Sequence, residues 1–489
     1  MIPVTTFAGR KVAVLGLARS GLAAAQALIA GGAEVACWDD GESSRGRATA
    51  EGLPVVDLTT ADWRAFAALV LAPGVPLTHP EPHWSVNAAH AAGIEVIGDT
   101  ELFCRELARQ SHRPKVVAIT GTNGKSTTTA LTTHLLRHAG FRTAMGGNIG
   151  EAVLGLAPFS ETDIYVLELS SYQIDLMPTL AADAGVLLNL TPDHLDRHGT
   201  MAHYAEVKER LVARAGTAII GIDDAYCRAI AERRMAAGGP AIAIHVTTDP
   251  TRSEDAVTAQ DVRKFEASGK LVQTGDHGVA GLPVGSLSLA HAPTLRGPHN
   301  AQNAAAACCA ALAVVADKTR VARDILQAGL NSYPGLAHRM ELVGTLHKSP
   351  FVNDSKATNA DSTAKALTSW GNGLHWIVGG LSKEGGIDSL APFFQRVRRA
   401  YLIGAASHAF AATLARHGVD YVRCVTLERA VAEAAAYVRA NPQEAGSVVF
   451  SPACASFDQF KDFEDRGNQF RTLVRALPAF VPHGQGGMA

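Results

Sequence analysis

Long hydrophobic runs are missing from this 489-residue chain. The longest, Ala304 to Ala316, falls well short of the ~20 apolar residues a membrane-spanning helix needs, and it reads as a buried helix. An excess of charge of one sign is missing too. Lysine plus arginine number 44 and aspartate plus glutamate 46, for a formal net charge of −2, which leaves no basic footprint for nucleic acid or a membrane surface. The seven cysteines include no Cys-x-x-Cys pair, which argues against a disulfide framework and a cysteine zinc site, and fits a reducing cytoplasm. Cys308 and Cys309 fall in the apolar run and read as small buried hydrophobes. Arg10-Lys11 is followed only by a short strand-like run, with neither the length nor the cleavage site of a secretory signal, so a cytoplasmic protein is expected.

What is present is alternation. KVAVLG, a helical stretch ending in Gly31-Gly32, and AEVACWDD form a βαβ unit, and ALVLAPG and IEVIGD continue the pattern to about residue 103. Strands alternating with helices predict an α/β fold whose parallel sheets are covered on both faces. At roughly one domain per ~150 residues the length predicts three domains. The polar stretch between Arg105 and Lys115 and the Tyr333-Pro-Gly breaker place their boundaries, giving domains at 1–105, 106–334 and 335–489. Residues 246–278 turn polar and carry no recognisable chemistry, and the tail from Pro478 is expected to fray.

Two loops carry candidate chemistry. Gly16-Leu-Ala-Arg-Ser-Gly21 is a variant of the dinucleotide fingerprint, with Asp39 and Asp40 ending the next strand. It suits a diphosphate at a helix N-terminus, and NAD and other diphosphates are equally compatible. The second loop, AITGTNGKSTTT from Ala118, lacks the first glycine of G-x-x-x-x-G-K-[ST], since position 119 is Ile. It still follows a strand and opens a helix, where backbone N–H groups face an anion, Lys125 can neutralise phosphate oxygens, and Ser126 or Thr127 can reach Mg²⁺. Glu168 and His194, at the ends of the next strands, are candidate metal ligands beside it. Lys208 alone reads as a surface-helix lysine.

Together GTNGKST, ELSSYQ, NLTPDHLDRH, GPHNAQN, GLAHRME, NDSKATN and SPACASFDQFKDFEDRGNQF resemble the Mur ligases of bacterial cell-wall synthesis, from about Gly9 to Leu477. GTNGKST is shared with folylpolyglutamate synthases, whereas NDSKATN and SPACASFDQF are far more specific. The resemblance accounts for the missing glycine, because the family uses the shorter G-x-x-G-K-[ST] loop. It implies three domains: a Rossmann-like N-terminal domain for a UDP substrate, a central P-loop ATPase-type parallel sheet, and a Rossmann-like C-terminal domain for an amino acid. The implied reaction is ATP-dependent addition of D-glutamate to UDP-N-acetylmuramoyl-L-alanine through an acyl phosphate, by a monomer whose third domain closes to assemble the site.

The resemblance also distributes roles. Gly16, Arg19, Ser20, Asp39, Asp40 and Gly74, with Asn148, Ser170 and Gln173 of the central domain, would hold the UDP substrate. Gly121, Thr122, Asn123, Gly124, Lys125, Ser126, Thr127 and Asn303 would hold ATP, joined by Arg339 and Asp354. Ser126, Glu168, His194 and a Lys208 carbamylated by CO₂ would serve Mg²⁺, with Lys125, His194 and Lys208 catalytic. Lys356, Thr358, Lys383, Ser456 and Phe463 would form the D-glutamate pocket. A folylpolyglutamate synthase fits less well, because a complete diphosphate-binding unit precedes the phosphate loop. A binding protein without turnover would need no amine-side pocket.

Overall fold

The computed structural model describes residues 1–247, 271–275, 278–382, 385–444 and 446–483. Most of the polar stretch at 246–278, and Lys383, lie outside them. Among the described residues the strands form three sheets. The first collects β1 (Lys11–Leu15), β2 (Glu34–Trp38), β3 (Ala68–Leu71) and β4 (Glu95–Ile97) in the order β2-β1-β3-β4, all parallel.

The second sheet contains β5 (Lys115–Thr120), β6 (Thr143–Gly147), β7 (Ile164–Glu168), β8 (Ala184–Leu187), β9 (Thr217–Gly221), β10 (Ala241–Val246), β11 (Leu271–Gly275), β12 (Gly278–Ala280) and β13 (Leu287–Ser288). Their order is β13-β12-β11-β10-β9-β8-β5-β7-β6, parallel from β6 to β11 and antiparallel beyond. The expected apolar helix is Pro298–Val314, buried along most of its length, with Cys308 and Cys309 both inside it. All seven cysteines are free and buried, and burial pushes the Cys309 thiol up to about 12.

The third sheet is built from β14 (Glu341–Leu346), β15 (Ser349–Asn353), β16 (Leu374–Gly379), β17 (Val397–Ile403), β18 (Tyr421–Val425), β19 (Val448–Phe450) and β20 (Phe480–Pro482), in the order β18-β17-β16-β19-β15-β14-β20. β14 and β20 run antiparallel at one edge. Here the expectation of a frayed tail is corrected. Phe480 to Pro482 pair with Leu346 to Gly344, and the Phe480 ring meets Phe351 edge-on at 5.8 Å. Pro482 is tolerated because this is the outermost strand.

Strands with both faces covered read as unbroken apolar runs, and β3, β8 and β16 are buried at every position. The chain forms two compact units. One comprises Met1–Pro293 and Pro298–Ser332 and contains the first two sheets; the other comprises Thr294–Gly297 and the chain from Tyr333 onward, with the third sheet. In open α/β sheets ligands bind beyond the carboxyl ends of the strands, which is where β1, β5, β7 and β8 deliver the candidate residues.

Candidate active site

β5 ends at Thr120 and, after the four-residue turn Gly121–Gly124, the helix Lys125–His138 begins. Gly124 caps that helix in the left-handed region at φ 85, and a Cβ there would run into the Asn303 side-chain oxygen, so the turn requires glycine. The segment after β8 pins the loop. The Thr122 N–H donates to Asn189 O and the Asn123 N–H to Asn189 Oδ1, both at 2.8 Å. Lys125 lies back over the loop, its Nζ donating to Gly121 O at 3.0 Å and Thr122 O at 2.8 Å. Ser126 is buried and Thr127 half-buried at the helix start. Asn303 accepts from the Thr128 hydroxyl at 3.1 Å, so it sits against this loop.

Glu168 ends β7, paired with Ile119 of β5. Its Oε1 accepts from Asn148 Nδ2 at 2.7 Å, whereas Oε2 is buried with no partner. A buried carboxylate oxygen without a donor is costly, and an oxygen-seeking cation would satisfy it. The residues present therefore fit Mg²⁺. His194, at φ 54 just before the short helix Leu195–His198, is partly exposed. Desolvation, with the nearby charges of Lys125 and Lys208, holds its imidazole below the usual range despite Asp193.

Lys208 is not the surface lysine its sequence position suggests. It is 1% exposed, and its Nζ donates to Thr120 Oγ1 at 2.9 Å and Gly121 O at 3.0 Å. Burial first, then the charge of Lys125, pulls its amine well below the ordinary lysine range. A neutral amine is the form that can attack CO₂, so the residue is suited to carbamylation. A signal was present: Tyr204, Val207, Lys208 and Leu211 share one face of the helix Met201–Ala213 at i, i+3, i+4, i+7 spacing, and all are buried.

At the first sheet Gly16 has φ 89, and a Cβ there would come within 2.6 Å of Ala72 Cβ. Asp39 closes this turn, accepting from the Leu17 N–H at 2.6 Å and the Gly41 N–H at 2.8 Å. Asp40 meets His83 Nε2 at 2.9 Å and Trp38 Nε1 at 3.2 Å. Arg19, beside half-buried Ser20, crosses to the second sheet's loop, donating to the Gly150 and Asn148 carbonyls. Arg197 crosses the other way, to Gly74 O at 2.9 Å and Val75 O at 3.0 Å. Ser170 and Gln173 form a capping box on the helix Ser171–Asp175. The structure thus brings Arg19, Asn148 and Glu168 into one chain of contacts, while Ser170 and Gln173 serve the local helix.

In the second unit Lys356 lies over the Phe463 ring at 4.7 Å, and Ser456 and Asp354 are buried. Thr358 N–H donates to Lys356 O at 2.9 Å, and Arg339 sits between His338 and Met340, both at positive φ. Leu381 pairs with Ala455, and Lys383 beyond it lies outside the described residues. The residue that organises this group is Arg466, which the sequence reading passed over. It is fully buried and, among the described residues, has no carboxylate within ion-pair distance; it donates to Ser355 Oγ, to Ser355 O at 2.7 Å and to Cys454 O at 3.1 Å. Burial pulls its guanidinium down to about 10, so it remains charged at neutral pH.

Arg466 thereby ties the Asp354–Thr358 segment to the Cys454–Ser456 segment. Arg466→Ala leaves two carbonyls and a hydroxyl without donors and is expected to cost on the order of 3 kcal/mol, with Arg466→Lys recovering part. Urea denaturation of the full chain checks this, and an unchanged midpoint would contradict it.

A model of the Mur ligase middle domain matches residues 119–311, and one of the Mur ligase glutamate ligase domain matches residues 338–454. The chain is 54% identical over 98% of its length to a UDP-N-acetylmuramoylalanine–D-glutamate ligase of Rhizobium meliloti, covering 98% of that protein. It is 53% identical over 99% of its length to the enzyme of the same name from Nitrobacter winogradskyi, covering all of it. Among solved structures, UDP-N-acetylmuramate-alanine ligase from Thermotoga maritima superposes with a TM-score of 0.56 over 95% of this chain and 99% of that one, at 15% identity. That likeness speaks for the fold alone.

Proposed function

The chain belongs to the Mur ligase family, and from that premise we infer that it is the ATP-dependent ligase that joins D-glutamate to UDP-N-acetylmuramoyl-L-alanine in peptidoglycan precursor synthesis. The observation that carries the ATP half is the convergence of the glycine loop, Lys125, Lys208 and the unpartnered Glu168 oxygen at the ends of β5 and β7. A carboxylate is a poor electrophile because oxide would have to leave. A carboxylate oxygen of the UDP substrate therefore attacks the γ-phosphorus, ADP departs, and the amine nitrogen then attacks the acyl carbon. Phosphate leaves and the amine loses its proton.

The loop N–H groups and Lys125 hold the phosphates and neutralise charge that grows as the acyl centre becomes tetrahedral. Glu168, His194 and Ser126, with Lys208 once carbamylated, would hold Mg²⁺, which when bound supplies Lewis-acid neutralisation of phosphate oxygens. Gly16, Arg19 and Asn148 position the UDP substrate. Lys356, Thr358, Ser456 and Phe463 line the amino-acid pocket, and Lys383 keeps the pairing role the resemblance gives it. A cytoplasmic monomer with domains at 1–105, 106–334 and 335–489 completes the reading. No helix among the described residues is long and apolar enough to cross a membrane.

Phosphate release with ATP, Mg²⁺ and UDP-N-acetylmuramoyl-L-alanine tests the acceptor. D-Glutamate is expected to drive turnover, with L-glutamate and D-alanine poor, since one misplaces a carboxylate and the other lacks its partner for Lys383. A charge-assisted hydrogen bond to a carboxylate is worth ~1.5–3 kcal/mol, so Lys383→Ala is expected to weaken D-glutamate use by roughly 10- to 150-fold and spare ATP binding. Comparable rates with lysine, diaminopimelate or D-alanyl-D-alanine would place the enzyme at another step.

A further inference from the structure

Away from the phosphate loop, three side chains from three successive helices converge. Asp175 ends the helix Ser171–Asp175, His198 ends the helix Leu195–His198, and His203 lies in the first turn of the helix Met201–Ala213. One ligand atom of each lies within 4.8 Å of the other two. His198 is 3% exposed, and its Nε2 is engaged by Ser171 Oγ at 2.8 Å. Its Nδ1 is buried with no hydrogen-bond partner, which leaves one ring nitrogen unsatisfied inside the protein.

We propose that Asp175, His198 and His203 form a binding site for a divalent transition metal of the Zn²⁺ class, separate from the candidate Mg²⁺ ligands. Two imidazoles and one carboxylate suit Zn²⁺, Co²⁺ or Ni²⁺, whereas Mg²⁺ prefers oxygen donors. Three protein ligands and a water complete a four-coordinate site. The ring of His198 is already oriented, because Ser171 Oγ can accept the Nε2 proton and so leave Nδ1 for the ion. Arg210 donates to Asp175 Oδ1 at 2.9 Å, which fixes that carboxylate while leaving Oδ2. The His203 side chain is one-third exposed and offers a way in.

A bound ion would join the elements that carry Arg197, which reaches the Gly74 loop, and Tyr204, whose hydroxyl lies 3.1 Å from Thr122 Oγ1 in the phosphate loop. It would stabilise the native arrangement by binding it in preference to the unfolded chain.

The test uses the full chain, stripped with a chelator and returned to millimolar Mg²⁺. Zn²⁺ is titrated in competition with a chromophoric chelator, and Co²⁺ is followed by its visible d–d absorption. One equivalent of Zn²⁺ is expected to bind, and Co²⁺ to give the intense band of a four-coordinate site. His203→Ala and Asp175→Asn should each weaken Zn²⁺ binding at least roughly tenfold. Glu168→Gln, which removes a candidate Mg²⁺ ligand, should leave it unchanged. Far-ultraviolet circular dichroism checks that the metal-free variants stay folded; should His203→Ala unfold, Asp175→Asn alone decides. Absence of a stoichiometric Zn²⁺ site, undiminished affinity in the folded variants, or loss of the ion in Glu168→Gln overturns the proposal.

Discussion

Lys125→Ala is expected to lower kcat by roughly 10² to 10³-fold while leaving affinity for the UDP substrate close to that of the parent. The two effects separate because the residues lie on different sheets. Lys125 opens the helix after β5, whereas Gly16 and Arg19 belong to the turn after β1. Its Nζ now donates to the carbonyls of Gly121 and Thr122. Those carbonyls sit on the loop that would face phosphate, so the ammonium is held within reach of the γ-oxygens. Alanine is a strong helix former, and the helix start should survive the change. Phosphate release under saturating substrates gives kcat, and calorimetric titration with UDP-N-acetylmuramoyl-L-alanine gives the affinity. Normal turnover would falsify the assignment of this loop to ATP.

The sequence made some layers of this protein readable and hid others for identifiable reasons. β3 (ALVL), β8 (AGVL) and β19 (VVF) are unbroken apolar runs, and β1, β5 and β7 are apolar except at their ends, because a parallel strand covered on both faces has no polar side to display. β6 is TAMGG, whose two glycines are poor strand formers; pairing with β7 makes it a strand. β20 was hidden by its proline and its place near the terminus, and it exists because β14 offers an edge. The glycine loop was legible because phosphate cradling needs contiguous residues.

Arg466, His198 and Asp175 were not legible, because their partners are distant in sequence or sit on other elements. Arg466 meets Ser355, 111 positions away. Lys208 was intermediate. Its helix face announced burial, but only the fold shows that Thr120 and Gly121 receive its amine.

Raising pH is expected to destabilise the second unit through Asp354. This carboxyl is buried behind β15, where Ser451 Oγ donates to it at 2.8 Å and the Met340 N–H at 3.1 Å. Burial pushes it up to about 7, against those hydrogen bonds and the charge of Arg339. Between the ordinary value near 3.8 and about 7, the folded chain therefore binds a proton that the unfolded chain has released. Stability from this group is complete below that window and is lost as pH rises through it. At ~1.4 kcal/mol for each tenfold change in proton affinity, the loss approaches about 4 kcal/mol above pH 7.

Asp354→Asn keeps a side-chain oxygen for the Met340 N–H and removes the ionisation. The variant should accordingly be more stable than the parent at pH 8 and little different at pH 4. Hydrogen exchange of β15 and β19 peptides, corrected for the intrinsic pH dependence of amide exchange, reads the effect locally. Equal slopes of protection against pH in the two proteins would show that Asp354 does not titrate in this window. The functional corollary is a carboxylate that, near neutral pH, is easily recruited by a cationic partner.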